Sequence, residues 1–149
     1  MVLTPRQRFV LATVAGMVVL GLLWSVLDTT SQQLPKRTIS ISNISYRVDV
    51  VTTSEQQAQG LSGRNGLPSW AGMLFDNDVV AERCMWMKSM RFPIDILWID
   101  AQRRIVKIES KLEPRTYPQA YCAVAADVLE LAAGQAEFRG FKVGQLVKL

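Results

Sequence analysis

The chain has 149 residues, with 17 Lys+Arg, 13 Asp+Glu and no histidine, a length that holds one domain and an appendage. Without histidine a Ser-His-Asp or Cys-His arrangement is impossible, and the commonest general base and metal ligand is missing. The basic excess does not point to nucleic acid, because residues 38 onward carry 13 Lys+Arg and 12 Asp+Glu, with no basic run interleaved with aromatics.

Residues 9–27 read FVLATVAGMVVLGLLWSVL, nineteen positions without a charge. As a helix at about 1.5 Å per residue this run spans roughly 28 Å, close to the ~30 Å hydrocarbon core of a bilayer. Arg6 and Arg8 precede it. A cleaved signal peptide is the competing reading, but the apolar stretch exceeds the usual core and no A-x-A pattern follows. The expectation is therefore a retained transmembrane anchor over 9–27. The arginines abutting the run place residues 1–8 in the cytoplasm and the remainder outside, on the periplasmic or extracellular face. Residues 28–37, polar and without periodicity, read as a linker to a domain over 38–149.

Within that domain Ile39 and Ile41, then Ile44, Tyr46, Val48 and Val50, alternate with polar residues on either side of Ser42-Asn43, which predicts a hairpin with one buried face. Thr52…Glu55 and Thr53…Gln56 both fit a capping box, so a short helix follows, ending at Gly60, Gly63 and Gly66. Further strands are predicted at Gly72–Phe75, Cys84–Met90, Ile94–Asp100, Arg104–Ile108, Val128–Leu131 and Gly144–Leu149, with a second short helix over Gly134–Arg139. Short strands linked by turns predict a mainly β (α+β) domain, a small antiparallel sandwich or barrel with two short helices.

Three blocks resemble a known family, the domain-of-unknown-function 192 family. Gln59-Gly60-Leu61-Ser62-Gly63-Arg64 with Gly72-Met73-Leu74-Phe75 is similar to its G-L-M-G-R…G-M-L-F stretch. Trp86-Met87-Lys88 with Pro93-Ile94-Asp95-Ile96 resembles its W-M-K-N-T…P-L-D-I core, the most specific of the three. Val128-Leu129-Glu130-Leu131, Ala133-Gly134, Gly140 and Val143-Gly144 complete the match over about residues 44–149. Ser62, Ser89-Met90 and Gln145 depart from the usual Met, Asn-Thr and Asp. The resemblance implies a compact β domain, often exported or membrane-tethered, and implies no activity.

The candidate chemistry is sparse. Two cysteines fall short of a zinc site, no phosphate-cradling glycine motif is present, and neither metal nor cofactor is expected. Cys84 and Cys122 are predicted to form a disulfide, because outside the cytoplasm a cysteine pair is more often bridged than free. If Arg91-Phe92-Pro93 joins two antiparallel strands, Met90 pairs with Ile94, Lys88 faces Ile96 and Trp86 faces Trp98. Lys88 beside two tryptophans offers a cation–π contact or a pocket wall; the plainer reading is a lysine whose stem lies along the core edge. Asp95 on an apolar strand must pair or bond to backbone amides, with Arg64 and Arg91 as natural partners. Glu130, alternating with apolar neighbours, reads as an exposed strand position. Met85, Met87 and Met90 read as core rather than copper ligands.

The functional expectation is non-catalytic binding of a small polar or anionic ligand, or of an envelope protein. Arg64, Trp86 and Lys88 would line the site and Asp95 would hold the nearby loop. The rivals are a hydrolase or transferase using Asp95 and Lys88 as acid–base groups, and a purely structural envelope protein. An enzyme should bring at least two of Arg64, Lys88 and Asp95 to the floor of one concave pocket.

Overall fold

Ser42 and Asn43 both sit at positive φ, 47° and 67°, and this two-residue turn joins β1 (Lys36–Ile41) to β2 (Ile44–Val51) with Ile41 opposite Ile44 and Ile39 opposite Tyr46. The computed structural model of the protein describes residues 33–77 and 79–149; the predicted anchor over 9–27 lies outside the described residues. Among the described residues no helix is long and apolar enough to cross a membrane.

After β2, helix α1 (Ser54–Gln59) starts at the capping box Thr53/Gln56, each side chain accepting from the other residue's backbone N–H. The segment through α1 carries the chain back to the end where β2 began. Strand β3 (Ala71–Phe75) therefore lies parallel to β2, against the all-antiparallel expectation. Gly72 is required by packing here. A Cβ would lie 2.7 Å from the Glu130 carbonyl oxygen and 2.9 Å from Leu131 Cδ2, too close for any other residue without displacing backbone.

Strands β4 (Ala81–Trp86), β5 (Ile94–Ile99), β6 (Ile105–Leu112), β7 (Ala120–Ala125), β8 (Asp127–Ala132) and β9 (Val147–Lys148) complete the fold, with helix α2 (Gln135–Phe138) between the last two. Seven strands form one sheet in the order β6-β5-β8-β3-β2-β1-β9, and β4 and β7 form a separate two-stranded ribbon. The large sheet curls until its edges meet: Arg104 bridges Leu146, the Ile105 amide donates to the Gln145 carbonyl at 3.0 Å, and the Val147 amide donates to the Arg103 carbonyl at 2.8 Å. The result is a mainly β, barrel-like domain with two short helices.

Both faces of the curled sheet are covered, which explains why every residue of β5 is buried. One face carries Ile39, Tyr46, Val48, Leu74, Leu97 and Leu129, closed by Ala136 and Phe141. The other carries Met73, Phe75, Ile96, Trp98 and Val128, packed against Leu61 and Met87. Strand β4 pairs with β7 and not with β5, so Met90–Ile94 and Lys88–Ile96 are not strand neighbours. The ribbon instead lies over the β5 face, where Trp98 Nε1–H donates to the Arg83 carbonyl at 2.8 Å. Strand β7 is not among the strands that the sequence predicts, because its Ala-rich run lacks a β-branched alternation.

Candidate functional site

Cys84 and Cys122 stand directly opposite each other in the β4–β7 ladder and form the expected disulfide, with Cα atoms 4.1 Å apart. The bond and the ladder make the ribbon a stiff wall. Lys107 of β6 fastens that wall to the sheet, its Nζ 5.1 Å from the Trp98 ring centroid and 3.2 Å from the Cys122 carbonyl oxygen. A cation–π contact on a tryptophan is thus made by Lys107 on Trp98, where the sequence pointed to Lys88.

Between the ribbon and the α1 segment runs a groove of about 350 Å³. Gln57, Gln59 and Ser62 form one side, Met85 and Trp86 the other, and Glu130 of β8 lies at the bottom. Trp86 is 49% exposed there, a large apolar face left open to solvent. Gln59 donates to the Ser62 carbonyl at 2.8 Å and Ser62 donates to the Lys88 carbonyl at 2.9 Å, which ties the helix end to the chain leaving β4.

The sequence-predicted residues are not brought together. Trp86 borders the groove. Lys88 is exposed in the turn after β4, and its side chain is not among those lining the groove. Arg64 is held at 2.8 Å by Asp49 of β2, not by Asp95. Arg91 donates to Asn65 at 2.6 Å. Asp95 is fully buried on the opposite face of β5, where its two oxygens accept from the amides of Lys111 at 2.8 Å, Gly134 at 2.9 Å and Ala136 at 2.7 Å. Asp95 therefore holds the turn that opens α2, a loop-fixing role achieved through backbone amides and not through an arginine. Neither Asp95 nor Lys88, the paired groups of the catalytic alternative, lines this groove.

Glu130 corrects the sequence reading most sharply. It is 5% exposed, not a solvated strand position, because the α1 segment and the ribbon cover the sheet face that the alternation of β8 would leave wet. Its Oε2 is sealed from solvent without a hydrogen-bond partner. Burial drives its carboxyl up to about 8, opposed by the positive charge of Arg64. At neutral pH this acid is mostly protonated. Nothing in the pattern Val-Leu-Glu-Leu distinguishes it from an ordinary edge position; its meaning comes from what packs above it. Among the described residues no cluster of three acidic or thiol groups is placed to hold a metal ion.

No curated protein matches the chain. Two solved structures are similar. A protein of unknown function from Novosphingobium aromaticivorans has 25% identity and a TM-score of 0.75, over 80% of this chain and 89% of its own. A putative transcription regulator from Sinorhizobium meliloti has 26% identity and a TM-score of 0.74, over 78% of this chain and 95% of its own. Residues 37–149 match the profile of one family, described as an uncharacterised ACR, and the chain belongs to that family, DUF192.

Proposed function

We propose that the protein is a membrane-tethered, extracytoplasmic binding domain whose groove between the α1 segment and the β4–β7 ribbon receives a small polar ligand. The observation that carries the reading is the groove itself, about 350 Å³ with an open tryptophan on one side and polar side chains on the other. That combination of a flat apolar surface with a few convergent polar groups is the usual make-up of a small-molecule site. The Cys84–Cys122 bond supports a location outside the reducing cytoplasm, and the charge-free run over 9–27 supports a tether. In this reading Trp86 contacts the ligand and Lys88 stands near the rim. Arg64 and Asp95 support the surroundings through Asp49 and the α2 turn. Catalysis by Asp95 and Lys88 is disfavoured by their separation. A transcription-regulating role, the description of one similar structure, finds no basic stretch in this domain with which to hold nucleic acid.

The test is a thermal-shift screen of the full chain against small polar metabolites. At least one should raise the melting temperature in wild type and lose that effect in Trp86→Ala, while Lys88→Ala changes it little. Hits that stabilise Trp86→Ala as strongly as wild type would place binding elsewhere and overturn the groove.

A further inference from the structure

Glu130 is the side chain that the fold has least structural reason to keep. It lies on the interior strand β8, borders the groove, and among the described residues its Oε2 has neither solvent nor partner. A buried polar atom left unpaired costs about 1–3 kcal/mol, and an apolar residue of similar shape would avoid it. Arg83, another residue of the groove wall, also has its Nε buried without a hydrogen-bond partner. Two unmet polar groups on residues of one cavity, beside an open indole face, describe a site waiting for oxygen atoms.

We infer that the groove takes a neutral, hydroxyl-bearing ligand of the sugar or polyol class, stacked on Trp86 and hydrogen-bonded to the Glu130 carboxyl. This rests on the groove being the binding site, and it adds the class of ligand and the group that selects it. An anion is disfavoured by the charge of Glu82 at the cavity and by the commitment of Arg64 to Asp49. The charged groups around Glu130 are Arg64 and Asp49 on one side and Glu82 and Arg83 of β4 above. Glu109 of β6 lies two strands along the same row of the sheet and is paired with Lys107. Of these Arg64 favours the charged form, and burial outweighs it.

The experiment uses the full chain in a phosphocholine detergent, which contains no sugar, with the Glu130 carboxyl and the Trp86 indole followed by NMR. Glucose and N-acetylglucosamine are the neutral probes; glucuronate and inorganic phosphate are the anionic ones. The neutral sugars should shift both signals, with affinity weakening about tenfold from pH 6 to pH 9 as the protonated fraction falls. Glu130→Gln keeps an N–H donor and should bind alike at both pH values, whereas Glu130→Leu should not bind. Preference for glucuronate or phosphate would overturn the ligand class and leave the groove reading standing. Silence of both signals with the neutral sugars in the tens of millimolar would refute the class as well. A wild-type Glu130 carboxyl that titrates in the ordinary glutamate range would remove the selecting group, whatever the variants do.

Discussion

A buried carboxyl with a raised pKa makes stability depend on pH in a direction opposite to that of a salt-bridged acid. Folded Glu130 holds its proton up to about 8, while in the unfolded chain it releases it near the ordinary glutamate value. Between those values the folded state binds more protons, so its stabilising share is complete at low pH and declines as pH rises, flattening above about 8. We expect wild type to lose about 1 kcal/mol per pH unit across that window relative to Glu130→Gln. Asp127, also raised by burial, contributes in the same direction to both proteins and cancels in the comparison. Urea denaturation at pH 5, 7 and 9 measures it, and parallel curves for the two proteins would contradict the burial argument. Asp95 differs because each of its oxygens is already engaged, one by two amides and the other by one. Asp95→Asn turns one acceptor into a donor facing an N–H, and we expect a loss of about 3 kcal/mol by the same measurement. A loss below about 1 kcal/mol would mean that the α2 turn holds itself.

At the scale of elements, the ribbon and the curled sheet differ in what secures them. Each large-sheet strand shares its ladder with a neighbour, and the closure at Arg104–Leu146 leaves little free edge. Among the described residues strands β4 and β7 pair only with each other. They are attached to the sheet through side chains, chiefly by Trp98 on the Arg83 carbonyl and Lys107 on the Cys122 carbonyl. The disulfide closes a 38-residue separation, which on chain-entropy grounds contributes up to about 4 kcal/mol. Replacing both Cys84 and Cys122 by Ala should therefore lower stability by a few kcal/mol. It should also raise amide exchange in β4 and β7 well before β5 and β8, because the ribbon opens locally. Uniform acceleration across all strands would show that ribbon and sheet unfold as one unit.

For the molecule as a whole, the question is where the domain sits. The proposed tethered domain outside the cytoplasm rests on the charge-free run over 9–27, through transfer of apolar side chains to hydrocarbon, and on the disulfide, through thiol redox balance. Intact-mass measurement of the protein from membranes should return the full N-terminal segment. An N-terminus at or beyond Thr29 would instead identify a cleaved signal and a domain released from the bilayer.

The elements legible in the sequence were those whose signal is local. The β1–β2 hairpin followed from strict alternation around Ser42-Asn43, and α1 from a capping box that needs only four consecutive residues. The disulfide followed from a pair of cysteines read against an expected extracytoplasmic location, and the family from three short blocks. What failed depended on partners distant in sequence. The parallel β2–β3 pairing, the placement of β4 over β5, and the existence of β7 are set by which strands meet, and pattern alone does not encode that. The site shows the same division. Trp86 was singled out by its surroundings in the chain, and Asp95 by the cost of a carboxylate among apolar residues. Arg64 and Lys88 were assigned to a cluster that folding does not assemble. Glu130 was read as exposed because alternation reports only that successive residues face opposite sides of a sheet. Whether the second side meets water or protein was decided by the ribbon and the α1 segment that pack across it, and that packing turns an ordinary strand glutamate into a buried acid.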